Sequence, residues 1–174
     1  MRGRSAFLLA APDRVVALSE QLIRVHQSLR ERLASLRQEA AADGAGGGTH
    51  SGSGSDDLLS HCLSFCTTLH THHTGEDGQL FFALRAAAPE LTPVISKLIE
   101  DHELVAGILR QIRGLLAAAA DPETLRRELD GLTAILESHF SFEERRIATA
   151  LDTLGPEAQF PDVFAPAVEP GTPG

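Results

Sequence analysis

Twice in this chain a histidine is followed four residues later by a glutamate inside an otherwise apolar row. His72 and Glu76 sit in the row Phe65, Leu69, His72, Glu76, Leu80, and His139 and Glu143 in the row Leu136, His139, Glu143, Ile147. Residues four apart share one face of a helix, with Cβ atoms roughly 6 Å apart. Each pair can therefore deliver an imidazole nitrogen and a carboxylate oxygen to one small site. Two further apolar rows hold a lone histidine: His26 between Leu22 and Leu29, and His102 between Leu98 and Val105. A glutamate in a core is rare unless paired, because an unpaired buried charge costs several kcal/mol. None of the four rows contains Arg or Lys. A metal pair is the counter-charge that the pattern calls for.

The rows belong to four amphipathic segments. The first runs from about Pro12 to Ala42, with Val15, Leu18, Leu22, Val25, Leu29, Leu33 and Leu36 as its stripe. Asp43 to Ser55 is mostly Gly, Ser and Thr and reads as a flexible loop. Ser55-Asp56-Asp57 caps a second helix that reaches about Ala87, with Leu58, Cys62, Phe65, Leu69, Leu80 and Ala83 inward, and Pro89 stops it. Thr92 before Pro93 reads as an N-cap with proline at the first helical position, and Asp121-Pro122 repeats the signal. The third helix shows Ile95, Leu98, Val105, Leu109, Ile112 and Leu116. The fourth shows Leu125, Leu129, Leu132, Leu136 and Ile147 and ends near Gly155. Short joints imply antiparallel neighbours, so the expected fold is all-α: an up-down-up-down four-helix bundle with a metal site in its core. Residues 1–11 form an N-terminal extension, 12–151 the bundle, and 152–174 a Pro-rich tail. Phe160 and Phe164 suggest that part of the tail docks on the bundle.

Helix arithmetic puts the histidines at one level. His26 lies 16 residues before Ala42 and His72 lies 16 after Asp56, about 24 Å from the same end of the bundle at 1.5 Å per residue. His102 and His139 each lie 17 residues from the facing ends at Ala119 and Pro122, about 26 Å along. The four histidines then share a layer, and with Glu76 and Glu143, one turn on from His72 and His139, they make six candidate ligands: His26, His72, Glu76, His102, His139 and Glu143. Mixed imidazole and carboxylate without an inward thiolate suits iron first, manganese second and zinc third. Six ligands are too many for one tetrahedral zinc, and two glutamates can bridge two ions.

Composition excludes other classes. Aromatics are 5% of the chain, with no Trp and no Tyr, which favours helix over sheet. A net charge of −9 argues against nucleic acid or an anionic membrane as partner. No run approaches ~20 apolar residues, and Ala6 to Ala11 is too short for a secretory signal. The expected location is cytoplasmic. Cys62 and Cys66 read as small buried hydrophobes of a reducing compartment. Arginine outnumbers lysine 14 to 1, as in proteins of GC-rich bacterial genomes.

The order of these elements resembles the hemerythrin-like family, also called the HHE cation-binding domain. The resemblance covers about Pro12 to Leu151. It rests on His26, on HHTGEDGQLFFAL from His72 to Leu84, on EDHELVAGIL around His102, and on SHFSFEERRI around His139. It implies a di-iron centre ligated by His26, His72, Glu76, His102, His139 and Glu143, with Glu76 and Glu143 bridging. The chain departs from the family's oxygen carriers at Ala106, where they place a further histidine. It departs again at the last carboxylate, which they place five residues after its histidine, here Glu144. Glu143 is preferred because it shares the stripe of His139 and Ile147. His73 lies about 100° round the helix from His72 and His70 faces away from it, so both rank behind the six.

With one imidazole fewer than the oxygen carriers, the implied function is binding of, or reaction with, dioxygen, nitric oxide or peroxide, as in peroxide disposal or gas sensing. A small gaseous or peroxide ligand is then the partner. Two other readings share the site. One is a di-iron oxygenase or oxidase acting on an organic substrate. The other is a non-catalytic regulatory module whose metal state a protein partner reads through the Gly/Ser loop or the tail.

Overall fold

The computed structural model describes residues 16–45, 53–155 and 158–164, and among them there is helix and no strand. Helix α1 spans Leu18–Ala45 and α2 spans Ser53–Gly75. A π turn, Glu76–Leu80, joins α2 to the short α3, Phe81–Ala87, and a 3-10 turn at Pro89–Leu91 leads to α4, Thr92–Ala117. Helix α5 spans Pro122–Asp152, and α6 is a single turn, Pro161–Phe164. Helix α1 packs on α5 and α2, and α4 packs on the same two.

Several boundaries differ from the sequence expectation. Val16 and Ala17 are not helical, so α1 starts at Leu18 rather than Pro12; Val15 lies outside the described residues. That start is set by α5, because the Ser19 N–H and hydroxyl both donate to Asp152, at 3.0 and 2.8 Å. The expected loop is shorter than Asp43 to Ser55, since α1 runs on through Ala45 and α2 begins at Ser53. Ser55, Asp56 and Asp57 therefore lie within the first turns of α2 rather than ahead of it. Thr92 is not an N-cap: its hydroxyl donates to the Pro89 carbonyl at 2.7 Å. Asp121 is one, accepting from the Thr124 N–H at 3.0 Å. Helix α5 stops at Asp152, ahead of Gly155, which adopts a φ of 88° that favours glycine.

The second expected helix is not continuous. Its π turn advances less angle per residue than an α-helix, so the inward face after it falls on later residues. Phe81 and Leu84 are buried, and Ala83, expected inward, is only half-buried.

Two apolar clusters sandwich a polar layer. One contains Leu29, Leu33, Phe65, Leu69, Val105, Leu136 and Phe140. The other contains Leu22, Leu80, Leu84, Leu98, Ile147, Phe160 and Val163. Burying each large apolar side chain contributes roughly 1.5–3 kcal/mol, and that is what holds a polar layer between them. Cys62 and Cys66 are unpaired thiols buried in the first cluster, and burial pushes the Cys62 thiol up to about 12.

Candidate metal centre

The layer between the clusters holds His26, His72, His73, Glu76, His102, His139 and Glu143, each no more than 4% exposed. Apolar neighbours from the two clusters flank the lone histidines, Leu22 and Leu29 about His26 and Leu98 and Val105 about His102. They also bracket the two His–Glu pairs, Leu69 and Leu80 about His72 and Glu76 and Leu136 and Ile147 about His139 and Glu143. His26 Nε2 is 3.2 Å from His72 Nε2, and His102 Nε2 is 3.1 Å from His139 Nε2. Glu76 reaches both pairs: Oε1 is 3.3 Å from His72 Nε2, and Oε2 is 3.5 Å from His102 Nε2. Glu143 also reaches both pairs, through one oxygen: its Oε2 lies 3.5 Å from His26 Nε2 and 3.6 Å from His139 Nε2.

The outer nitrogens fix the inner ones. His72 Nδ1 lies 3.0 Å from the Val163 carbonyl, which only accepts, so the proton is on Nδ1 and the Nε2 lone pair faces the centre. His26 Nδ1 lies 2.9 Å from Glu144 Oε1, a carboxylate also held by Arg30 at 2.9 Å. His102 Nδ1 lies 2.8 Å from Asp77 Oδ1, in the π turn. His26 and His72 therefore aim two bare lone pairs at each other across 3.2 Å. That arrangement is repulsive without a cation to share.

Electrostatics agree. Burial lowers His26, His72, His73 and His139, the last to about 3, so these imidazoles are neutral donors. Burial, then the nearby Glu143, raises Glu76 well above the usual carboxylate range. Burial, then Glu144, pushes Glu143 up to about 8. All four carboxylate oxygens of Glu76 and Glu143, together with His73 Nε2, are buried without a hydrogen-bond partner among the described residues. Such a set of unsatisfied neutral imidazoles and carboxylates is the donor chemistry of a divalent metal site.

His73 was placed behind the six in the sequence, yet it is buried here with its ring stacked on His102. Its usable signal was the spacing Cys62, Cys66, Leu69, His73, Glu76, Leu80, whose steps of three and four trace a second inward row on the same helix. His70 is exposed, His61 is half-buried against Glu39, and His50 lies outside the described residues. Glu144 stands behind His26 rather than in the cluster.

Three groups offer one ligand atom per residue, all within 4.8 Å of one another: His26, His72 and Glu76; His73, His102 and His139; and Glu76, His102 and Glu143. No helix among the described residues is long and apolar enough to cross a membrane. No curated protein and no solved structure matches the chain. A family model described as the hemerythrin HHE cation binding domain matches residues 17–151. The all-helical fold and its buried histidine and glutamate cluster agree with that match, and the chain belongs to the hemerythrin HHE family of metal-cation-binding domains.

Proposed function

We propose that the protein holds two iron ions in this layer and binds or turns over a small ligand there: dioxygen, nitric oxide or peroxide. The four long helices are read as up-down-up-down, since successive ones pass between the two apolar clusters in opposite order. The carrying observation is that Glu76 and Glu143 each face one imidazole of both histidine pairs. Glu76 turns one oxygen toward each pair, as a carboxylate bridging two ions would, and Glu143 turns a single oxygen, Oε2, toward both. Manganese in one position is the second choice and zinc the third, on ligand type.

The histidines divide unevenly, with His26 and His72 on one side and His73, His102 and His139 on the other. With fewer protein ligands, an ion on the His26–His72 side would have the more open position for an exogenous ligand. Iron supplies one-electron and oxygen chemistry in such a site. The chain's own residues do the rest. Their Nε2 atoms bind, Glu144, Asp77 and Val163 orient, and the two apolar clusters exclude water. Phe140 stacks on His26 with 4.0 Å between ring centroids. The chain has no Tyr or Trp, the aromatic side chains most easily oxidised by a reactive intermediate.

A cavity of about 90 Å³ lies between α1 and α5, lined by Leu29, Leu33, Leu136 and Phe140 with the polar Arg30, Thr133 and Glu137, and none of the layer's residues lines it. The test is stopped-flow mixing of the reduced, iron-loaded protein with dioxygen, nitric oxide and peroxide in turn. A change in absorption with at least one supports the reading, and no change with any contradicts it.

A further inference from the structure

His26 and His102 are oriented by carboxylates from the bundle itself, Glu144 on α5 and Asp77 in the π turn. His72 is oriented differently, by the main-chain carbonyl of Val163, 91 residues downstream. That carbonyl belongs to the segment 158–164, which lies beyond the residues 17–151 covered by the family match. The acceptor for a central histidine thus comes from outside the matched domain.

Three features hold it in place. The side chains of Phe160 and Val163 are buried in the cluster that contains Leu18, Leu22, Leu80 and Leu84. The N–H groups of Val163 and Phe164 both donate to the Phe160 carbonyl, at 3.1 and 3.0 Å, closing the turn. The third feature is Gly75, at the end of α2. A Cβ there would lie 3.0 Å from Asp162 Cβ, 3.1 Å from Val163 N and 3.2 Å from Asp162 C. Two of those three atoms are main chain and cannot swing aside, so a side chain at 75 requires the segment itself to give by a few tenths of an ångström. Glycine in a helix costs about 1 kcal/mol against alanine, and this close approach is the local reason for it. Gly78, three residues on, has no such neighbour.

We propose that the segment 158–164 is a clasp that completes the metal centre, its Val163 carbonyl setting the affinity of the ion on the His26–His72 side and Gly75 acting as the positioning residue that admits it. The inference rests on the two-ion reading above. With Nδ1–H held by Val163, the His72 Nε2 lone pair stays directed at the centre beside Glu76 Oε1. Loss of such an outer acceptor typically weakens metal binding 10–100-fold.

The test is an anaerobic stepwise titration with ferrous ion on the full chain, in wild type, in Gly75→Ala, and in a Phe160→Ser, Val163→Ser double variant. The double variant leaves α2 untouched, so the two reach the clasp from opposite sides. Wild type should bind two ions. Each variant should bind one with wild-type affinity and the other about 10–100-fold more weakly, with helical circular dichroism retained. A general loosening of the bundle would weaken both ions alike; that result, or unchanged affinity for both, overturns the clasp. If Gly75→Ala does not fold, the double variant decides on the same terms. If neither folds, the segment is a folding element and the clasp is overturned. Fewer than two ions in wild type overturns the two-ion reading, and the clasp with it, before any variant is compared.

Discussion

The imidazole ring of His73 lies face to face with that of His102, with 4.0 Å between centroids and 6° between planes. His73 also meets His139 edge-on, and the three offer ligand atoms to one point. Replacing His73 with alanine should therefore weaken binding of the ion on that side by at least about tenfold, while the His26–His72 side is spared. Competition with a chelator of known affinity measures this. Unchanged affinity for both ions would remove His73 from the centre.

Glu144 joins His26 to Arg30, accepting from both at 2.9 Å. Its carboxyl lies below the usual range although partial burial pulls it up, because the hydrogen bonds from His26 and Arg30 outweigh that burial. Glu144→Ala should lower affinity for the His26-side ion about 10–100-fold. Glu144→Gln keeps an acceptor and should lose less. Equal losses in the two variants, measured by the same titration, would show that His26 is not oriented through this contact.

What the sequence disclosed and what it hid divide along a physical line. Among the described residues, six of the seven buried polar side chains stand in the principal row of their helix, with steps of three and four, and that periodicity is a local property of the chain. Their common level followed from helix rise alone, and the 3.1 and 3.2 Å contacts between histidine pairs show how close they come. His73 is obscured because it stands on a second inward row, and α2 buries two. The π turn at Glu76–Leu80 was not legible, since a register change needs the tertiary context that rewards Phe81 and Leu84 over Ala83. The role of Val163 could not be read at all: a main-chain acceptor has no residue signature, and only Gly75 marked the place where it approaches.

The metal-free protein should lose stability as pH rises above neutrality. Glu143 is pushed up to about 8 by burial and then by Glu144, and Glu76 is raised as well. In the unfolded chain both return to the usual 4.5. Between those values the folded state holds more protons than the unfolded one, so stability falls with pH. The cost is absent below about 4.5, where the carboxyls are protonated in both states, and for Glu143 it is complete once pH has passed about 8. The lowered His72, His73 and His139 act in the opposite sense, but their contribution is complete above their usual 6.5. From about pH 7 to about pH 9 the melting temperature of metal-free protein should drop by about 2–8 °C. Metal-loaded protein should stay flat, because ions replace those protons. Parallel curves for the two forms would contradict the assignment of Glu76 and Glu143 to the centre.

The most direct test of the central claim is the metal content of protein made under iron-replete conditions, read with its absorption spectrum before and after peroxide. The account predicts about two irons per chain, with ligand-to-iron charge-transfer bands that change on peroxide. Zinc in their place, or no metal with the helices intact, would contradict it.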